Sequence, residues 1–525
     1  MINRIKNNKT IFILLGIIIL SSVWLLTKGM PFGDDTAFHF DRIISLAKTI
    51  KNGDFIALIH DHYYGYGYAT GLFYSNFYFY IPAILNNIGL SNMASFKVLF
   101  LFINIFTTII TYKCLKSIID SKKIAIIGTI IYMFSNYRIV DIYARCAIGE
   151  ILAFMIIPIV ILGIYEILYR DYKKWYLFSI GFVLLLLAHL ITTVLMGIVV
   201  FIIICVNYKK LSEKNRLKYL IVSILIGVLL GLFFVVPIIN QIFNGNISVF
   251  ADDYKNVVPF YLLPLKDFLI PTGFSNKHLG FVLILLLPIR YLVKKKNIKE
   301  KELLMFADIF YIIGIISWLL TIIFPFGETL SFIQFSWRFL IISTVFLVFS
   351  YAIYFKLIGK NKLLKYIYLF IITFSLLEVS IYSFQYGFRT LNHNSFSSDN
   401  IGTGEYLIHN TNTSELDLEN PKIITNNPDL NIDYTKKGTS ITIKYKNNKK
   451  KNTYILLPLF NYYGYKCDKI DISNGTNNLI RLNLNKETDT LKVSYKISSI
   501  EKVSYLISSL TCVGLIIYII KERRR

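Results

Sequence analysis

Runs of about twenty apolar residues, separated by short clusters of Lys and Arg, recur along most of this 525-residue chain. Hydrocarbon offers no partner to a backbone amide, so such a run crosses a bilayer only as a helix, and about twenty residues is the length that spans it. With 55% apolar residues and a mean hydropathy of +0.55, the chain reads as a polytopic α-helical membrane protein. The first run, Thr10–Leu26, is too long for the apolar part of a signal peptide. It is followed by Lys28, Gly29, Met30 and Pro31 rather than by a small-residue cleavage site, so it is read as a mature helix.

The net charge of +24 does not mark a nucleic-acid binder. The basic residues alternate with apolar runs, as the positive-inside rule requires, instead of gathering on one face. The five cysteines form no CxxC pattern and point to neither a disulfide framework nor a zinc site.

Placing the basic clusters in the cytoplasm fixes the expected topology. Arg4, Lys6 and Lys9 put the N-terminus inside. About twelve spans then follow, the fifth and sixth being short helices within Tyr176–Val206 that meet outside near His189. Residues 1–384 are expected to form the transmembrane domain, with a long first outer loop at 28–92. Residues 385–502 differ in kind: they are polar, rich in Asn and Lys, and carry alternating stretches such as "TSITIKYK", "TYILLPLF", "LIRLNLN" and "LKVSYKIS". Alternation of this kind predicts half-buried strands, hence an extracytoplasmic β-sandwich-like domain. Residues 503–525 supply a last span and a basic cytoplasmic tail. No internal repeat is visible, which weighs against transporter folds built from repeats.

Directly after the first span comes "GDDTAFHFDR". Phe40, Ile43, Ile44, Ala47 and Ile50 share one helical face, while Asp35, His39 and Arg42 share another. The spacing predicts an amphipathic helix over residues 36–50, lying on the outer membrane surface. Capping accounts for one acidic residue, Asp34 or Asp35, but not for both, nor for the His and Arg beside them. The aromatic stretch at 60–85 has glycines at 65, 67 and 71; it suits an interfacial belt or the wall of a lipid or sugar site. His60 and His62 make a metal pair without an evident third ligand. In the next outer loop Arg138, Asp141, Arg145 and Glu150 cluster, either as phosphate ligands or as headgroup anchors. His189 reads as a structural histidine, and Arg338, beside Trp337, as an outer-edge cation. Asp308 and Glu378 are acids inside apolar runs, which are either functional or paired with other polar groups.

The ordered set "DTAFHFDRI", "GYGYATGLFYSNFYFYIPAIL", "DIYARCAIGEILAF", "LLLLAHLITTVL", "QFSWRFL" and "LPLFNYYGYK" resembles the GT-C superfamily of membrane glycosyltransferases. Within it, the set resembles the YfhO-like and 6-pyruvoyl-tetrahydropterin synthase-related bacterial membrane proteins. Two positions depart from the family pattern: Cys146 stands where a Gly is usual, and Ser336 where a Pro is usual. The pterin label does not describe this chain's chemistry. Such a synthase needs a three-histidine zinc cluster, and the seven histidines (39, 60, 62, 189, 278, 393, 409) include only one close pair.

The resemblance implies inverting glycosyl transfer at the outer face of a bacterial cell membrane. The donor would be a polyprenyl-phosphate-linked sugar and the acceptor an envelope glycan, lipid or protein. It makes Asp35, with Asp34 as its neighbour, the catalytic base. It places His39, Arg42, Arg138, Arg145, Glu150, His189 and Arg338 on the donor's phosphate or sugar. A divalent cation, Mg or Mn, is compatible with the paired aspartates but is not required. Two other readings remain: a transporter or flippase of a lipid-linked glycan, and a non-catalytic assembly protein acting through its β domain.

Overall fold

In the computed structural model the chain is described except at residues 1, 28, 30–32, 214, 252, 255–259, 270–276, 294–297, 325–330, 360, 388–398, 448–452 and 525. Lys28, Met30, Pro31, Lys294 to Lys296 and His393 therefore lie outside the described residues.

All twelve apolar segments are helical, but they are not equal. Eight helices are long and apolar enough to cross a membrane. Lys122–Met133 makes a ninth only when counted with Asn136–Arg145, to which it is bent by 46°. The other three are short. Tyr176–Ala188 has 13 residues and Leu190–Val206 has 17, separated by extended backbone at His189. Phe281–Leu285 gives way to a 3-10 segment with Pro288 near its start, because proline cannot donate to the preceding turn. Among the described residues, twelve thus overstates the number of full-length spans.

Two helices form the centre. In the apolar stretches of Ile148–Tyr169 and the Ser336–Ile358 segment 89% of the residues are buried, against 17–28% in those of Lys9–Leu26, Arg216–Asn244, Lys362–Ile381 and Ser499–Glu522. Those outer helices keep apolar side chains exposed for lipid. The last span packs on Arg216–Asn244, where the Ser508 hydroxyl donates to the Leu229 carbonyl at 2.8 Å. Small residues allow the closest approach at the centre: a Cβ on Gly163 would lie 2.4 Å from the Phe178 nitrogen.

The helix Thr36–Lys51 is not a surface ledge. Eleven of its residues are buried, including His39, Asp41 and Arg42 from the polar face. The reason is the aromatic stretch folded over it: the Tyr74 and Phe79 rings pack on His39 and Arg42, and the Asn400 amide donates to Asp41 Oδ2. Residues 424–495 form two four-stranded antiparallel sheets, in orders β1-β4-β7-β6 and β2-β3-β8-β5. Here β1 is Ile424–Thr425, β2 Asn431–Lys437, β3 Ser440–Lys446, β4 Thr453–Phe460, β5 Tyr465–Cys467, β6 Ile472–Asn474, β7 Leu479–Leu484 and β8 Thr488–Tyr495. β3 alternates as its sequence predicts. β4 is buried on both faces over most of its length, because Phe460 packs on Tyr63 and Tyr66 of the aromatic stretch. That stretch is therefore chiefly a seam between the helical bundle and the β domain. Gly65 and Gly67 supply its turn with φ of +86° and +89°.

Gly163→Val should lower the melting temperature of the detergent-solubilised protein by several degrees. Gly197→Val, where a Cβ meets nothing within 4 Å, should leave it unchanged. Differential scanning fluorimetry compares the two.

Candidate functional site

Two loops meet at one end of the helical bundle. The Asp34 and Asp35 amides donate to the carbonyls of Ala144 (3.2 Å) and Arg145 (2.8 Å). This contact needs Gly33, where a Cβ would fall 2.5 Å from the Arg145 carbonyl carbon. On the facing loop, Asp141–Arg145 form a single π turn, a widened geometry frequent at functional sites. The turn ends at Cys146, with φ +56° in the left-handed region that favours glycine. The departure noticed at this position is therefore a backbone demand that Cys146 meets.

The π turn aims Arg145 into a buried polar knot. Its guanidinium donates to Asp141 Oδ1 at 2.6 Å, to the Tyr137 hydroxyl at 3.0 Å and to Glu150 Oε1 at 3.0 Å. Tyr137 donates in turn to Glu150 Oε2 at 2.6 Å. Arg338 approaches the same carboxylate, with Nε 3.6 Å from Glu150 Oε1. Two guanidinium groups thus face two carboxylates, a balance that burial demands.

Beside this knot lies a cavity of about 980 Å³. Asp34, Asp35, His39, Arg145, Glu150, His189 and Arg338 all line it, so seven of the nine residues singled out from sequence come together. Asp35 occupies the N-cap position of Thr36–Lys51 but makes no capping bond. Burial raises its carboxyl above the usual range; Arg145 opposes the rise and the Asp34 charge adds to it. His39 is held neutral by burial and by Arg42, and its Nδ1 has no hydrogen-bond partner. One wall is apolar, with Leu186, Leu190, Phe234 and Ile238 from the membrane helices. The outer wall was not anticipated: it is the strap that leads into the β domain, with Asn400, Thr403, Glu405 and Tyr406. Nothing in the sequence marked it, since "IGTGEYL" reads as an ordinary polar linker.

Arg42 and Arg138 are engaged elsewhere. Arg42 donates to the carbonyls of Tyr74 (2.6 Å) and Ser75 (2.5 Å) and lies over the rings of Tyr74 and Phe79. Arg138 is fully buried and donates to the Met133 carbonyl and to Asn104 Oδ1. They hold backbone and helix packing rather than facing the cavity. His60 uses its two ring nitrogens on Ser45 and Asn76, so it is not poised beside His62 as a metal pair. Among the described residues no group of three His, Cys, Asp or Glu side chains is placed to hold a metal ion. Asp308 pairs with Arg290 through two bonds of 2.5 and 3.0 Å, the paired alternative for that acid.

These features define a multi-pass membrane protein with a polar cavity walled on one side by the strap that leads into a β domain. Residues 72–386, more than half of the chain, match the family described as 6-pyruvoyl-tetrahydropterin synthase related domain, membrane protein, and the chain belongs to that family. It is also similar to an "Uncharacterized protein" of Lactococcus lactis subsp. cremoris (strain MG1363), 24% identical over 253 residues. That match covers 46% of this chain and 41% of the relative, so it spans less than half of either.

Arg42→Met leaves two buried carbonyls without their donor and should destabilise the protein by about 2–4 kcal/mol. Thermal unfolding in detergent measures this. Unchanged stability with weakened donor binding would instead make Arg42 a donor ligand.

Proposed function

We propose that this protein transfers a sugar from a polyprenyl phosphate to a hydroxyl acceptor at the outer face of the membrane, inverting the anomeric centre. The observation that carries this reading is Asp35: a carboxylate at a helix start that forgoes capping and lines a cavity apolar on one side and charged on another. An amphiphilic donor suits such a cavity, with its chain toward the membrane helices and its phosphate toward the arginines.

In the transfer, Asp35 takes the proton of the acceptor hydroxyl. The acceptor oxygen bonds to the anomeric carbon as the bond from that carbon to the phosphate oxygen breaks. The electron pair leaves with the polyprenyl phosphate. Arg338 is the less engaged of the two cations for that charge: its Nη1 donates to the Ile333 carbonyl and Gln334 Oε1 and its Nε approaches Glu150 at 3.6 Å without a hydrogen bond, whereas Arg145 serves three acceptors in the knot. Arg145 then acts mainly by keeping Glu150 and Asp141 compensated and by favouring the ionised form of Asp35. No step is assigned to a metal ion.

The test is donor consumption by purified protein in detergent, offered a panel of polyprenyl-phosphate sugars. Asp35→Asn should lower the rate by at least a hundredfold. Equal consumption by wild type and Asp35→Asn would remove the base from the mechanism, and no consumption of any donor would remove the reaction. The pH profile gives a second check. The base must be ionised, so the rate falls as pH drops through the raised pKa of Asp35. Asp34→Asn removes a neighbouring negative charge, lowers that pKa and should move the acidic limb to lower pH.

A further inference from the structure

The strap at residues 399–411 is held too firmly to be a passive linker. The Asn400 amide donates to Asp41 Oδ2 at 2.9 Å, and the Tyr68 hydroxyl donates to the Ile401 carbonyl at 3.0 Å. The same hydroxyl accepts from the Tyr406 amide at 3.2 Å. The Tyr406 ring stacks on Phe73 with centroids 5.3 Å apart. From the other side, the Val249 amide donates to the Glu405 carbonyl at 2.9 Å. These contacts fix Glu405 between two anchored neighbours, and its side chain is oriented by the Thr403 hydroxyl, which donates to Oε2 at 3.0 Å.

Glu405 lines the same cavity as Asp35. Burial raises its carboxyl, and the Asp35 charge adds to the rise, so the two groups sense each other. Neither carboxyl has a cation bonded to it among the described residues. Arg145 and Arg338 face Asp141 and Glu150, and Lys277 lies 3.8 Å from Asp34. Among the described residues neither Asp35 nor Glu405 forms an ion pair. A third polar group on this wall, His39 Nδ1, is buried and has no partner. The two carboxyls offer hydrogen-bond acceptors to a hydroxyl-bearing ligand and no bonded cation to an anionic one.

We propose that Glu405 is an acceptor-binding residue: it accepts a hydrogen bond from a second hydroxyl of a neutral sugar whose attacking hydroxyl faces Asp35. The acceptor class is a neutral glycoside with neighbouring free hydroxyls, selected against uronic acids by carboxyls without a bonded cation. Assignment of a role in transfer rests on the glycosyl-transfer reading, whereas the sugar-binding site stands by itself.

The experiment uses the full-length protein in detergent without donor. Saturation-transfer NMR is recorded with neutral methyl hexosides and with the matching methyl hexuronosides. At least one neutral hexoside should bind the wild type, about tenfold or more tightly than its uronic counterpart. Glu405→Gln should weaken that binding by a similar factor and narrow the discrimination. Glu405→Asp, which keeps the charge on a shorter arm, should recover part of it and serves in place of Glu405→Gln if that variant does not fold. Absence of hexoside binding, or binding and discrimination unchanged in the Glu405 variants, would overturn the proposal. The donor assay separates the two ideas. Donor consumption with unaltered acceptor KM in Glu405→Gln would sink the acceptor site and keep the transferase. Hexoside binding that depends on Glu405 without any donor consumption would do the reverse.

Discussion

The site depends on one backbone contact, the seam between Gly33–Asp35 and Ala144–Arg145. Two amides and two carbonyls join there, and the approach is so close that no side chain fits at residue 33. The seam couples a carboxylate that follows the first span to an arginine that precedes a central one. The arginine's partners, Tyr137, Asp141 and Glu150, come from its own segment. Joined, the two loops place Asp35 beside a guanidinium already compensated by Asp141 and Glu150. Charge balance at this depth is what allows ionisable groups to persist beside a membrane.

Much of the architecture was legible in the sequence, because a bilayer imposes a coarse and severe code. Apolar length, basic punctuation and two-residue alternation gave the helices and the sheets. The exceptions have local causes. His189 breaks a long apolar run with extended backbone, and Pro288 shortens another. The helix Thr36–Lys51 has an amphipathic pattern that fits a surface position, yet it is buried. Hydrophobic periodicity cannot tell a face turned to water from one covered by distant segments of the chain with their own polar partners.

The site was partly legible for a related reason. Charged residues close in sequence, such as Asp34 with Asp35 or Arg145 with Glu150, announce themselves beside apolar runs. Their individual tasks do not. Arg42 shares a helical face with Asp35 by spacing, but its guanidinium reaches backbone carbonyls 32 and 33 residues away. Glu405 was invisible because its importance comes from where the strap is anchored, by Tyr68, Asp41 and Val249. None of these is near it in the chain.

The walls of the cavity come from segments spread between residues 34 and 406. During synthesis the first of them, Asp34 and Asp35, enter the membrane long before the strap has been made. A growing chain therefore carries a half-built and open cleft through most of its insertion. The cavity closes only when the last wall is laid down, so the order of translation leaves the pocket unfinished until residue 406 has been made.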